Sequence, residues 1–279
     1  MGSWGLRTGL VLGVVLAFGV SSAAAAVPPP PPTIDSGPIG FVSSTSATFT
    51  FSDTQAGVTF ECSLNAEPFA ACTSPMEYTG LPLGSHTFQV RATDGVDPST
   101  SAARTWTVDT VAPPVPTITS GPSRPVASRS ASFSFTDDEG GTTFECRLDG
   151  GLFAPCVSPR VLTGLAQGPH TFRVRALDAA GNASAAASRA WKVDTIAPRT
   201  TIVTGPKLRT ASHTARFTFR SSEAGSKFQC KLDRRAWQAC KSPRTYRNLG
   251  RGDHVLRVRA KDAAGNVDRT PAKRSWRVV

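Results

Sequence analysis

Residues 144–156 read FECRLDGGLFAPC. Two short runs of alternating apolar character, FECRL and LFAPC, flank Asp149-Gly150-Gly151, and a turn of this composition between such runs is the sequence signature of a β-hairpin. Each arm carries one cysteine, Cys146 and Cys156, in a C-x9-C spacing. Zinc ribbons and dithiol redox motifs place their cysteines about two residues apart, so neither chemistry fits this interval. The remaining reading is a staple that ties the two arms together. On the chain-entropy argument, closing a loop of about ten residues stabilises by roughly 2–3 kcal/mol.

The pair recurs twice more. Cys62, Cys146 and Cys230 are each separated by 84 residues, as are Cys72, Cys156 and Cys240, so the whole chain has to be read at that period. IDSGP, ITSGP and IVTGP open the copies at Ile34, Ile118 and Ile202; His86, His170 and His254 keep the same interval, and Trp106, Trp191 and Trp276 close each copy. Within a copy the apolar pattern has period two. In the second copy Phe133 and Phe135, then Phe144, Cys146 and Leu148, then His170, Phe172, Val174 and Ala176 share the inward parity, while Glu145, Arg147, Arg173 and Arg175 point out. About seven short strands in some 80 residues predict two sheets packed face to face. The expected fold is therefore all-β: three tandem immunoglobulin-like β-sandwich modules, each with a disulfide-stapled hairpin. The segments Asp178-Ala179-Ala180-Gly181-Asn182 and Asp262-Ala263-Ala264-Gly265-Asn266 supply the turn between the last two strands, with Gly where positive φ is needed.

The first 26 residues place one positive charge, Arg7, before an apolar run from about Leu10 to Val20 and then small residues to Ala26, the order of a secretory signal peptide. The domain reading is 1–26 signal peptide, 27–32 proline-rich leader, 33–112, 113–198 and 199–279 as modules one to three. Export favours disulfides, in keeping with six cysteines at regular spacing. No second apolar stretch follows, so no transmembrane segment is expected. Pro28 to Pro32 predict a brief polyproline II leader. The linkers VDTVAPPVP and VDTIAP are short and proline-bearing, which limits how far neighbouring modules swing.

The run GPHTFRVRALDAAGN and the following WKVDTIAP resemble bacterial Ig-like repeats of exported and surface proteins, and the turn also resembles hyalin-type repeats. The resemblance spans Thr33 to Val279 and implies stalks, spacers and adhesive or accessory modules at the cell surface.

Catalytic chemistry is not expected. The histidines obey the repeat at the inward start of a strand, as core-edge residues bonded to backbone would, and His213 stands alone among Ser and Thr. No Ser/His/Asp order, HExxH, phosphate loop or EF-hand pattern appears, so no catalytic residue, cofactor or resident metal is assigned. Asp109 in WTVD and Asp194 in WKVD occur only where another module follows; the last copy ends WRVV. Two readings stand: a side chain accepting hydrogen bonds from the next backbone amides, or a calcium ligand joined by turn residues such as Asp178 or Asn182.

The net charge of +11 conceals a gradient. Residues 27–112 hold 2 Lys+Arg and 8 Asp+Glu, residues 113–198 hold 8 and 7, and residues 199–279 hold 20 and 5. By strand parity Lys231, Arg257, Arg259, Lys261 and Arg277 share one outward face. Such a face suits a polyanion, and a merely solvated basic surface fits the same balance. The partner expected is an anionic cell-envelope polymer or an acidic protein, with no sequence-specific nucleic acid recognition. The alternative is a carbohydrate-binding or accessory protein of a secreted enzyme system, using aromatics such as Trp237.

Overall fold

The computed structural model describes residues 1, 2, 4 and 27–279, so the signal-peptide reading falls, but for three positions, outside the described residues. Every regular element among the described residues is a β-strand. None of them is a helix long and apolar enough to cross a membrane. The chain divides into two compact units. The first contains Ser46–Leu81 and Ser85–Trp106 of the first module; the second, running to Val279, holds the other two modules.

The third module is built of two sheets. Its first sheet joins Thr200–Thr204, Ala215–Ser221 and Arg244–Tyr246, with the middle segment paired antiparallel to both others. The opposing sheet runs in the order Arg209–Thr210, Ala272–Val278, Gly252–Lys261, Lys227–Leu232, Gln238–Cys240. All its pairings are antiparallel except that of Arg209–Thr210 with the closing strand Ala272–Val278. In the second module the corresponding sheet has four strands: Ala154–Cys156, Thr143–Leu148, Gly168–Leu177 and Ala187–Val193. A single parallel bridge, Val126 with Val193, stands where the third module has its fifth strand. In the first unit Thr33–Ser36, Ala47–Ser52 and Met76–Tyr78 form the smaller sheet, and Thr59–Leu64 pairs with Ala70–Cys72 in the larger one.

Alternation dictates which side chains meet. Phe133 and Phe135 of one sheet and Phe172, Val174 and Ala176 of the other are almost fully buried, as the inward parity requires. Phe133 lies stacked on Phe172 with ring centroids 4.3 Å apart and against Trp191 at 5.0 Å. Phe49, Phe88 and Trp106 make the same cluster in the first module. In the third, Phe217 meets Trp276 at 5.2 Å and Leu256 fills the place of the second phenylalanine.

The hairpin of residues 144–156 is as its turn chemistry demands. Phe144 stands opposite Cys156 and Cys146 opposite Ala154, so the two cysteines are diagonal neighbours across one strand pair. Disulfides join Cys62 to Cys72, Cys146 to Cys156 and Cys230 to Cys240, with Cα–Cα distances of 5.8, 5.7 and 5.8 Å. Asp149 and Asp233 sit in the left-handed region at φ 53° and 54°, a conformation that short polar side chains tolerate. Replacing Cys230 and Cys240 together by alanine is expected to lower the stability of the third module by about 2–3 kcal/mol, from the released loop entropy. Urea unfolding followed at Trp276 checks this; a loss shared equally by Trp106 and Trp191 would contradict a staple confined to one module.

The proline leader does not stand apart from the repeat. Pro29 and Pro32 are buried, and so are Pro113 and Pro116, 84 residues further on. A polyproline II segment has three residues per turn, so prolines three apart fall on one face, and that face packs.

Candidate functional site

The recurring histidine sits between a carboxylate and a backbone carbonyl. Nδ1 of His170 bonds Asp149 Oδ2 and Nε2 bonds the carbonyl of Ala166, both at 2.9 Å. His254 repeats this with Asp233 and Gly250, again at 2.9 Å. The other oxygen of each aspartate accepts a backbone N–H, from Thr171 and Val255, both at 2.7 Å. Both rings lie over a core tryptophan, Trp191 or Trp276. No nucleophile enters this arrangement; it is a clamp between the hairpin turn and the long strand. In the first module Asn65 takes the place of the aspartate and bonds His86 Nδ1 at 3.0 Å. His213 is also spoken for, its Nδ1 bonding the carbonyl of Leu249.

The Ala166 carbonyl, against some loss from burial, and the Asp149 carboxylate hold His170 above the ordinary imidazole range. For His254 burial acts in the opposite direction and is outweighed by Gly250 and Asp233, again leaving it raised. A raised folded value means stability that is complete below the unfolded value, about 6.5, and is lost as pH climbs through the folded one. The signals of Trp191 and Trp276 should therefore report falling stability from about pH 6 upward. Asp149→Asn, which copies the first module, is expected to flatten the Trp191 profile; an unchanged slope would remove the carboxylate from the account.

The junction aspartates behave as linker anchors. Asp109 Oδ1 accepts the N–H of Val111 at 2.9 Å, and Asp194 Oδ1 that of Ile196 at 3.4 Å. Asp194 also takes Gln167 Nε2 on Oδ1 and Lys192 Nζ on Oδ2, both at 2.9 Å. Their backbone carbonyls are held too: Asn182 Nδ2 donates to Asp109 O at 2.8 Å and Asn266 Nδ2 to Asp194 O at 2.6 Å. The asparagines are oriented by Asp178 and Asp262 of the same turns. The DAAGN turn thus grips the residue that ends the preceding copy. At the third module the incoming Thr200 is fixed further, its N–H bonding buried Asp268 at 2.8 Å and its hydroxyl accepting from Ala260 N at 2.8 Å.

Asp194, Glu223 and Asp262 offer carboxylate oxygens within 4.8 Å of one another. Burial, then the neighbouring Asp194 and Asp262, push Glu223 up, while the Lys192 ammonium holds Asp194 down. A calcium ion here would have to displace Lys192 and gather several further oxygens, since it takes six to eight.

The outward face of the five-stranded sheet carries the sequence-assigned cations, and cross-strand register orders them. Lys227 faces Lys261, Gln229 faces Arg259, and Lys231 faces Arg257, which in turn faces Lys273. The next outward pair is Val255 with Ser275, and then Asp253 with Arg277, itself opposite Arg209. The earlier copies are far less charged. Where the third has Lys231, Arg257 and Lys273, the second has Arg147, Arg173 and Ser188, and the first pairs Ser63 with Gln89. The neighbouring position is more telling. Glu61 pairs with Arg91 and Glu145 with Arg175, each at 2.7 Å, whereas the third module puts Gln229 there. Its Oε1 accepts Arg259 Nε at 2.8 Å, so the geometry survives and the negative charge does not. The arginine still lies over an aromatic ring, Trp237 at 4.3 Å, as Arg91 lies over Phe69 and Arg175 over Phe153. One face of Trp237 is thereby covered. Arg277 makes an ion pair on this face, a 3.7 Å contact with exposed Asp253.

Lys227 and Lys273 share the parity of Lys231 and Arg277 and belong to the same face, although sequence reasoning left them out. Arg234 joins it from the hairpin turn, beside Arg257, Lys273 and Arg277.

No family model matches the chain, and no curated protein matches it. Among solved structures it is similar to the fibronectin(III)-like modules of Clostridium thermocellum CbhA, at 19% identity, covering 58% of this chain and 93% of that one with a TM-score of 0.39. It is also similar to the FN1–FN3 domains of chicken CNTN1, at 13% identity, covering 90% and 100% with a TM-score of 0.37.

Proposed function

We propose that this is an exported, non-enzymatic repeat protein, a cell-surface spacer or adhesive element whose basic third module docks on an anionic cell-envelope polymer. In this reading residues 33–112, 113–198 and 199–279 are the three modules. Three disulfides support an oxidising compartment. The asparagine grips on Asp109 and Asp194 support a spacer, because each linker is hydrogen-bonded to the module that follows it.

The observation that carries the binding half is the row Lys231, Arg257, Lys273. Like charges directly opposite on neighbouring strands repel, and no carboxylate shares their row. A polyanion relieves that repulsion. The test is retention of the full chain on an immobilised anionic polymer across a salt series. Binding should fall steeply between low and moderate ionic strength, because exposed charges are screened within about 10 Å at 0.1 M salt. Retention indifferent to salt would overturn the polyanion, and binding to a glycan panel at high salt would favour sugar stacking instead.

A further inference from the structure

The cations of the third module do not form a uniform carpet. Between the row Lys231, Arg257, Lys273 and the row Asp253, Arg277 lies the pair Val255 and Ser275, an uncharged strip with cations on one side and Arg277 beside Asp253 on the other. All of these but Lys231 line an open cleft with Arg234 and Asp233 of the hairpin turn. Of its two carboxylates, Asp253 faces Arg277, and Asp233 is engaged by His254 and the Val255 N–H. Outward residues two apart on a strand are about 7 Å from one another, so Arg257 and Lys273 stand one such step from the Ser275 floor and Arg277 one step on the other side.

The equivalent ground in the second module is Thr171 with Ala190 for the floor, Arg173 with Ser188 for one wall, and Pro169 with Lys192 for the other. The turn position there is Gly150, and Lys192 is bonded to Asp194 at 2.9 Å. Both modules place one hydroxyl on the floor; the third adds Lys273 to the first wall and Arg234 at the turn.

We propose that this cleft seats one tetrahedral oxyanion, a phosphoryl or sulfate group, of an extended polymer. The inference rests on the polyanion reading above and adds the chemistry of the charged group. Arg257 on one strand and Lys273, Ser275 and Arg277 on its neighbour line the cleft, so guanidinium, ammonium and hydroxyl donors stand around one group. A tetrahedral group has oxygens to meet them all, whereas a planar carboxylate presents two oxygens in one plane.

The test uses the full chain and three linear polymers of matched length, inorganic polyphosphate, dextran sulfate and polyglutamate, together with phosphatidylglycerol vesicles, at one ionic strength. Polyphosphate and dextran sulfate are expected to bind at least tenfold more tightly than polyglutamate. Arg257→Gln with Lys273→Gln should weaken the two tetrahedral polymers at least tenfold more than Arg216→Gln with Arg220→Gln, which removes the same charge from exposed positions on the other sheet. Ser275→Ala should narrow the preference over polyglutamate without changing the number of charges. Equal losses from the two double variants, or polyglutamate binding as tightly as polyphosphate, would overturn the cleft while leaving diffuse polyanion binding intact. Vesicles bound more tightly than the polymers would replace the polymer with a membrane. Failure of the unaltered chain to bind any of the four would sink the underlying reading as well.

Discussion

Gly121→Ala is expected to destabilise the second module by about 4 kcal/mol, joining about 1–3 kcal/mol of backbone strain to a similar cost of overpacking. The glycine of ITSGP has φ +137°, and a Cβ on it would lie 2.4 Å from Cδ1 and 2.7 Å from Cε1 of Phe133. That ring has nowhere to go. It is fully buried, stacked on Phe172 and held from another side by Trp191. Gly205, in IVTGP, supplies the internal control: a Cβ there would meet Phe217 at 3.0 Å, and the backbone is not in the positive-φ region. Gly205→Ala should cost only about 1–2 kcal/mol, the lower part of the overpacking range. Urea unfolding followed at Trp191 for the first variant and Trp276 for the second measures both. Equal losses would mean that the ring moves aside and the glycine is a turn residue only.

The glycines of the opening motif show what kind of information a chain like this carries locally. Period-two alternation and the DGG turn determine strand, face and hairpin together, because each follows from the geometry of neighbouring residues. The cysteine pairing follows too, since Cys146 and Cys156 fall on one face of one strand pair. The leader is different. Five prolines read as an extended spacer by composition, and nothing local says that the face carrying Pro29 and Pro32 is buried. Only the 84-residue interval to Pro113 and Pro116 carries that signal. The acidic cluster was legible only in part. Asp194 was visible as a residue tied to the junctions, but Glu223 and Asp262 reach it through the way the linker is gripped by the turn of the next copy. The loss of the cross-strand carboxylate is different again. Glu61, Glu145 and Gln229 occupy one repeat position, so the change is written in the sequence, yet its meaning depends on Arg91, Arg175 and Arg259 lying opposite.

That substitution leads to the second large effect, in which binding and stability should move in opposite directions. Consider Lys227, Lys231, Lys261 and Lys273 all replaced by glutamine, with the arginines kept. Each cation near an anionic surface contributes about 1 kcal/mol, so the four together should weaken polyanion binding about a thousandfold at low salt. The dependence of log affinity on log salt should flatten by about three, at about 0.7–0.9 per contact for a polymer with condensed counterions. In the free protein the same lysines repel: Lys227 faces Lys261, and Lys231 and Lys273 flank Arg257. Removing them relieves about 0.2–1 kcal/mol per opposed pair, so unfolding followed at Trp276 should shift to higher denaturant. A variant that bound weakly because it was misfolded would lose stability, and a face that was merely solvated would gain stability with no binding to lose. Weaker binding joined to a more stable third module is the pattern that a surface held ready for negative charge must produce.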